Sequence, residues 1–148
     1  MDQSKVSRSI RILLVDDSPS DVRLIREALR ESQLMVHMSF AKNGVEALDH
    51  LSKSKTDPAL APDFIVLDLN LPKKNGCEVL LEIKADPELK KIPVLVMSSS
   101  GAEDDITAAY NLNANCYIRK PADLPGYERV VRALEDFWFM SVTLPDPY

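Results

Sequence analysis

Acidic residues follow two apolar runs of this sequence, each at a point where a strand would end. Asp16 and Asp17 come directly after Ile10 to Val15 (IRILLV), and Asp68 comes directly after Phe64 to Leu67 (FIVL). Carboxylates that cluster together repel one another, so such a group holds either a proton or a hard cation. Because carboxylate, carbonyl and water oxygens suit Mg²⁺, the three acids predict a magnesium site, provided that the two strand ends meet.

A hydroxyl group and an ammonium group follow two further apolar runs. Ser98 comes after IPVLVM, and Lys120 comes after CYIR. With a magnesium ion they could bind three phosphoryl oxygens, which leaves Asp68 as a nucleophile that attacks phosphorus and forms an aspartyl phosphate. A phosphoryl group adds about −1.5 to −2 charge, which is enough to pull the loop of Ser98 inward. The same residues therefore predict a switch.

The elements that must position these groups are strands alternating with helices. Apolar or alternating runs predict five strands, at Ile10 to Val15, Leu34 to Ala41, Phe64 to Leu67, Ile92 to Met97 and Cys116 to Arg119. Helical spacing of apolar residues predicts five helices, which begin near Pro19, Gly44, Gly76, Ala102 and Asp123. Continuous apolar runs are typical of strands in a parallel sheet that is covered on both faces, and each parallel pair needs a helical crossover. The pattern therefore predicts a doubly wound α/β fold in which all strands end at one edge, where such folds bind ligands.

The second predicted strand differs from the others because its apolar residues alternate with more polar ones. Leu34, Val36, Met38 and Phe40 alternate with Met35, His37 and Ser39, which predicts a strand exposed on one side and close to an edge of the sheet. In the helix that follows, we expect Val45, Ala47, Leu48 and Leu51 to form the apolar face.

Length and charge fit one compact domain that does not bind nucleic acid. The chain has 148 residues and 45% hydrophobic content, which is enough for a core without a metal or disulfide staple. We expect residues 10–140 to form this domain, with a polar leader at 1–9 and a C-terminal extension at 141–148. The net charge is −5, whereas a nucleic-acid-binding surface is basic.

Cysteine and histidine usage gives no sign of a second metal centre. Cys77 and Cys116 lie in unrelated segments without CxxC spacing, and His37 and His50 have no clustered partners, which predicts reduced thiols and no zinc. Residues 1–9 contain no apolar signal segment, and no apolar run approaches the roughly 20 residues that cross a bilayer. We therefore expect a soluble, cytoplasmic protein without a membrane partner.

Taken together, these motifs resemble the receiver domains of two-component response regulators. The matching motifs are the acidic pair after the first strand, LDLNLPKKNG around Asp68, Ser98 after IPVLVM, and Lys120-Pro121 after the last strand. The resemblance spans roughly Ile10 to Met140 and implies a flavodoxin-like (βα)5 fold with strand order 2-1-3-4-5. It also implies a phosphoacceptor, not an enzyme with an external substrate, that takes a phosphoryl group from the phosphohistidine of a sensor histidine kinase onto Asp68.

The resemblance implies a role for each metal-binding group. Asp17 and Asp68 would bind Mg²⁺ directly, together with the backbone carbonyl of Asn70. Asp16 would act mainly through water.

The resemblance likewise implies how the phosphoryl group is bound and sensed. Lys120 would bind a phosphoryl oxygen, Ser98 would be the hydroxyl that moves, and Tyr117 would be the aromatic side chain that swings inward. The Lys120–Pro121 bond is commonly cis in this family, and the cis form of an X-Pro bond costs only about 0.5–1 kcal/mol.

Three segments resemble, more narrowly, the small response regulators that pair with cyanobacterial and bacterial phytochromes. They are LDLNLPKKNG, the NxNCY run at Asn113 to Tyr117, and the tail FWFMSVTLP. The resemblance implies a phytochrome-type kinase as partner and a homodimer through the last strand, the last helix and the C-terminal extension. Phe137 to Met140 support the dimer, since four consecutive large apolar residues cannot all face one core. The alternative is a tail folded back on its own domain.

Two other functions remain open at this point. A Mg²⁺-dependent phosphatase could use the same aspartyl phosphate on external substrates, but residue 70 is Asn, so the second acid of a DxD pair is absent. An unphosphorylated dimeric adaptor would not need the group of acids, hydroxyl and lysine.

Overall fold

A computed structural model describes residues 9–32 and 35–136, over which strands and helices alternate. The strands are β1 (Ser9–Val15), β2 (Met35–Ala41), β3 (Phe64–Leu67), β4 (Val94–Ser98) and β5 (Cys116–Arg119). The helices are α1 (Pro19–Arg30), α2 (Gly44–Ser54), α3 (Gly76–Ala85), α4 (Glu103–Asn111) and α5 (Leu124–Leu134). A 3₁₀ turn, Pro58–Leu60, lies in the loop before β3. These elements confirm the predicted alternation.

The strands form one sheet in the order β2-β1-β3-β4-β5, and every neighbouring pair is parallel. This confirms both the predicted doubly wound α/β fold and the strand order implied by the family resemblance. As predicted, β2 is an edge strand, with Met35 and His37 exposed and Val36 and Met38 half-buried. The predicted alternation is wrong at the end of the strand, because Ser39 is half-buried and Phe40 is 38% exposed, with Arg26 over its ring. The opposite edge is β5.

Helices cover both faces of the sheet, as the continuous apolar runs predicted. One face packs against α1 and α5, which bury Ile25 and Val131. The other face packs against α2, α3 and α4, which bury Leu51, Leu80 and Ala109. Burying one such large apolar side chain contributes roughly 1.5–3 kcal/mol, so packing on both faces fixes the strands and the loops that follow them.

Side-chain caps fix where four of the helices begin, all at the edge where the strands end. Asn43 caps α2. Ser18 caps α1, and Pro19 occupies its first turn. Asn75 and Glu78 form a reciprocal capping box at the start of α3, and Asp123 caps α5. A cap of this kind stabilises a helix by about 1 kcal/mol, so these polar residues help to set the loop geometry around the site.

One predicted core residue is wrong. Val45 was expected on the apolar face of α2, but it is 52% exposed, whereas Ala47 and Leu51 are buried. Val45 lies two positions before Ala47, which is about 200° around the helix axis. The two residues therefore face nearly opposite directions.

Some predictions lie outside the described residues. These are the first eight residues of the predicted leader, Leu34 of the predicted second strand, the aromatic segment Phe137 to Met140 and the extension 141–148. Among the helices that the structure describes, none combines the length and the apolar character required to cross a membrane.

Candidate functional site

Neighbouring strands end at the same height, which brings the predicted site residues to one edge of the sheet. Strands β1 and β3 end side by side, because Val15 pairs with the last residue of β3. Backbone hydrogen bonds continue just past the strands: Asp68 N donates to Val15 O at 2.9 Å, and Lys120 N donates to Ser98 O at 2.7 Å. The acids, the hydroxyl and the lysine therefore leave neighbouring strands at the same height.

Three carboxylates come together at this edge. One carboxylate oxygen from each of Asp16, Asp17 and Asp68 lies within 4.8 Å of the other two. Asp16 and Asp68 are buried, and Asp17 is exposed. Burial raises the pKa of Asp16, although a backbone hydrogen bond from Ser18 and the nearby Lys120 partly oppose this rise. Because hard divalent cations prefer oxygen ligands, the three residues fit a cation of this class.

The ammonium group of Lys120 lies among these carboxylates. Its Nζ is 3.0 Å from Asp16 Oδ2, 3.0 Å from Asp68 Oδ2 and 2.8 Å from Asp21 Oδ2, and its side chain is 10% exposed. Burial alone would lower the pKa of Lys120, but its hydrogen bonds to the three carboxylates raise that pKa well above its usual range. The lysine is therefore held in its charged form and offsets part of the carboxylate charge.

Asp21 belongs to this cluster although the sequence analysis did not single it out. It lies in the first turn of α1, and it accepts hydrogen bonds from Lys120 Nζ and, at 3.3 Å, from Tyr127 Oη. Burial opposes ionisation of Asp21, but the charge and hydrogen bond of Lys120, together with the hydrogen bonds from Ser18 and Tyr127, outweigh burial and lower the pKa of Asp21. Tyr127 is 1% exposed, and burial together with the Asp21 carboxylate raises its pKa. Acids are common in first helical turns, so the local pattern did not distinguish Asp21.

The loop after β3 is tied closely to Asp68. Asn70 N donates to Asp68 Oδ1 at 3.1 Å, so the main chain of Asn70 lies beside the carboxylate. A Cβ atom at Gly76 would lie 2.3 Å from Asp68 O, so only glycine allows α3 to approach this closely. Lys73 adopts a positive φ of 65°, which non-glycine residues use mainly in turns.

Ser98 and Tyr117 both contact the loop between β4 and α4. Ser98 is fully buried, and its Oγ accepts a hydrogen bond from Ser100 N at 3.3 Å. Tyr117 is half-buried, and its Oη donates to Ser100 O at 2.9 Å. The side chain of Ser100 in turn donates to Asp105 Oδ2 at 2.5 Å. Ser100 therefore links the two predicted switch residues, a role that the sequence analysis did not assign.

No peptide bond among the described residues is cis, so the Lys120–Pro121 bond is trans. The cis bond implied by the family resemblance is therefore wrong for this structure. The trans form is the intrinsically favoured one, by about 0.5–1 kcal/mol for an X-Pro bond.

The cysteines and histidines lie apart from this cluster. Over residues 9–32 and 35–136, the three acids are the one group of potential ligands that could hold a metal ion. Cys77 and Cys116 are half-buried free thiols, and burial raises the pKa of each. His50 Nε2 lies 3.0 Å from Leu60 O, and His37 is exposed on β2.

Comparisons with known proteins find matches over most of this chain. Residues 12–132 match the model of the response regulator receiver domain. The chain is 44% identical to the response regulator Rcp1 of Synechocystis sp. over 135 residues, which cover 90% of this chain and 92% of that protein. The crystal structure of the Mn²⁺-bound form of Rcp1 matches with a TM-score of 0.82 and 43% identity, over 92% of this chain and 99% of that one.

A second solved structure, that of the phosphorylated cyanobacterial phytochrome response regulator RcpA, is also similar. It matches with a TM-score of 0.83 and 47% identity, over 93% of this chain and 99% of that one. The similarity therefore extends over nearly the whole length of both relatives.

Proposed function

The chain belongs to the response regulator receiver domain family, and on that basis we propose that Asp68 accepts a phosphoryl group from the phosphohistidine of a sensor histidine kinase. The observation that carries the proposal is the meeting of carboxylates from two strand ends with Lys120 from a third. Positioning and charge neutralisation are the main requirements for catalysing phosphoryl transfer, and these residues supply both.

Asp16, Asp17 and Asp68 would hold Mg²⁺, with the backbone carbonyl of Asn70 as a further ligand. The carboxylate spacing and the oxygen-only donor set support this assignment. A Mn²⁺-bound form of the relative Rcp1 supports a divalent cation. When bound, the cation would neutralise charge on the phosphoryl oxygens and on the carboxylates.

The transfer itself needs one carboxylate oxygen of Asp68 as nucleophile. The new bond forms between that oxygen and phosphorus, while the phosphorus–nitrogen bond of phosphohistidine breaks and its electron pair stays on the imidazole nitrogen. Lys120 would bind a phosphoryl oxygen, since its Nζ already lies 3.0 Å from Asp68 Oδ2. The protein would thus be a phosphoacceptor that catalyses its own phosphorylation.

The switch would involve Ser98 and Tyr117. An added phosphoryl group brings about −1.5 to −2 charge to the site, which attracts the Ser98 hydroxyl as a hydrogen-bond donor. Ser98 Oγ and Tyr117 Oη both contact Ser100, so a shift of this loop toward Asp68 would break the Tyr117 hydrogen bond. Tyr117 would then be free to turn inward and change the surface beside β5.

The kinase partner would be of the phytochrome type, acting in the cytoplasm where kinases obtain ATP. Support comes from the relative RcpA, which is described as a cyanobacterial phytochrome response regulator and resembles this chain at 47% identity. The net charge of −5 argues against a nucleic-acid target.

Phosphorylation would act on a homodimer formed through β5, α5 and the C-terminal extension. Strand β5 is an edge of the sheet, and Leu124, Val130 and Leu134 of α5 are half-buried. The outward N–H of Tyr117 already donates to Tyr110 Oη at 3.1 Å. The dimer contact would therefore use side chains and not strand pairing at this position.

The decisive experiment follows radiolabelled phosphate from an autophosphorylated phytochrome histidine kinase to this protein in Mg²⁺. We expect the wild-type protein and the Asp49→Asn variant to become labelled, and the Asp68→Asn variant to remain unlabelled. Asp49 is a suitable control because it is an exposed carboxylate on α2, where it pairs with Lys53. Size-exclusion chromatography before and after labelling reports on the dimer.

Labelling of the Asp68→Asn variant would refute the proposed acceptor. Phosphoramidate, a small phosphoryl donor, tests the acceptor residue independently of the kinase. Labelling by phosphoramidate but not by the phytochrome kinase would refute the kinase assignment alone. Turnover of p-nitrophenyl phosphate by the wild-type protein would instead favour a phosphatase.

A further inference from the structure

Asp21 occupies an unusual position in the carboxylate cluster. It is the carboxylate closest to Lys120, at 2.8 Å, but it does not belong to the group of three acids whose oxygens could share one cation. We propose that Asp21 is a positioning residue that keeps Lys120 at the site when a cation binds Asp16 and Asp68. The proposal goes beyond the assigned acceptor, cation and phosphoryl-binding residues, and it rests on the proposed cation site.

Such a residue is needed because Asp16 and Asp68 have two roles: they contact Lys120, and they are assigned to the cation. In the structure both carboxylates contact the ammonium of Lys120 at 3.0 Å, and both are also assigned to the cation. A divalent cation held by these carboxylates would repel the ammonium and would compete with it for their negative charge. Lys120 would then lose two of its three anionic partners, and Asp21 is the one that it would keep.

The surroundings of Asp21 fix its carboxylate in place. Asp21 Oδ2 accepts a hydrogen bond from Lys120 Nζ, while Asp21 Oδ1 accepts a hydrogen bond from Tyr127 Oη of α5. The backbone N–H of Asp21 donates to the α1 cap Ser18. Because α1 and α5 both hold Asp21, and only 25% of its side chain is exposed, the carboxylate is already oriented toward Lys120 and loses little entropy on binding it.

The contact between Asp21 and Lys120 should change the affinity for the cation, which a purely structural role of Asp21 would not do. Asp21 stabilises Lys120 more when the cation is present than when it is absent, since Lys120 has other partners only in the second case. By linkage, Asp21 therefore favours cation binding, and it does so through Lys120. Replacement of Asp21 should weaken Mg²⁺ binding only while Lys120 is present.

The test measures Mg²⁺ affinity of the unphosphorylated protein by isothermal titration calorimetry in a double-mutant cycle. We expect Asp21→Asn to weaken Mg²⁺ binding about tenfold or more, as for loss of a charge-assisted hydrogen bond. In the Lys120→Met background the same replacement should change it less than about twofold, because only a screened charge is removed. Equal effects in both backgrounds, or none in either, would overturn the proposal.

A second variant guards against loss of folding. Tyr127→Phe removes only the hydroxyl that orients Asp21, and we expect Mg²⁺ affinity to fall by only about twofold, because this hydrogen bond affects the cation indirectly, through Asp21 and Lys120. An unchanged affinity would contradict the proposed orientation. With phosphoramidate as donor at saturating Mg²⁺, Asp21→Asn should lower the maximal labelling rate and leave the KM for the donor unchanged. A change in KM alone would count against a positioning role.

These readouts separate the two proposals. The affinity measurements need no phosphorylation, so they can succeed even if Asp68 is not the acceptor. Labelled wild-type protein together with an Asp21-independent Mg²⁺ affinity would overturn the role of Asp21 and leave the proposed function intact.

Discussion

Two partly buried lysines at opposite ends of the sheet show how the same side chain can be used in different ways. At the end where the strands finish, Lys120 contacts the carboxylates of Asp16, Asp21 and Asp68. Where β4 and β5 begin, Lys84 Nζ also donates to three oxygens, at 3.0 to 3.1 Å. These belong to the Lys90 carbonyl, the Ile92 carbonyl and the side-chain amide of Asn115. The number of partners is equal, but only one set is charged.

The charge of the partners decides what each lysine can do. Burial lowers the pKa of Lys84, because neutral oxygens do not fully replace water around the ammonium. Burial acts on Lys120 in the same direction, but its three carboxylates raise the pKa instead. Lys84 therefore joins three chain segments as a fixed support. Lys120 carries a charge whose anionic partners can be exchanged for a phosphoryl group.

The largest effect should come from Lys120→Met. The replacement keeps an unbranched side chain but leaves three carboxylates without their cation, and we expect the free energy of unfolding of the metal-free protein to fall by about 2–4 kcal/mol. It also removes a charge from the transferring phosphoryl group, which should slow labelling by phosphoramidate about 100-fold or more. Urea unfolding in EDTA and labelling kinetics in Mg²⁺ measure the two effects. Wild-type stability together with wild-type labelling would contradict the role given to Lys120.

The matched replacement, Lys84→Met, should have a smaller and purely structural effect. It leaves neutral oxygens near the surface that water can reach, so we expect a loss of about 1 kcal/mol in unfolding free energy. Because Lys84 lies at the opposite end of the strands, labelling kinetics and Mg²⁺ affinity should match those of the wild-type protein. A slower labelling rate would show that the two ends of the sheet are coupled.

Strands and strand-end residues were largely predictable from the sequence because they depend on local pattern and on one geometric rule. Apolar runs marked β1, β3 and β4, and parallel strands end at one edge, so Asp16, Asp68 and Lys120 were expected at the same edge of the sheet. The strand order that brings β1 and β3 together came from the family resemblance. The edge position of β2 followed from its alternating residues.

Contacts between helices were not predictable in the same way. Asp21 and Tyr127 meet Lys120 because α1 and α5 pack on the same face of the sheet, and neither residue stands next to a strand end. In the sequence, Asp21 is an ordinary acid in a first helical turn and Tyr127 is one more apolar position of the last helix. The three partners of Lys84 are likewise set by how α3 packs against the strand starts.

The smallest predicted effect concerns how the stability contribution of each lysine changes at alkaline pH. This contribution should rise with pH for Lys84 and fall with pH for Lys120. The pKa of Lys84 is lower in the folded state than the unfolded value of about 10.4, so between these two pKa values the unfolded chain binds more protons and stability rises with pH. The stability difference between wild-type protein and Lys84→Met should therefore grow as the pH rises toward that value. The pKa of Lys120 is raised instead, so its contribution is complete below about pH 10.4 and decreases only above it.

Urea unfolding of the wild-type protein and the two variants between about pH 8 and pH 10.5 provides the comparison. Differences between proteins cancel the titration of the other lysines and tyrosines, which all three share. A stability difference for Lys84→Met that falls with rising pH would show that the three neutral oxygens stabilise the ammonium better than water does. The contrast between neutral and charged partners would then not explain why Lys120, and not Lys84, can exchange its partners for a phosphoryl group.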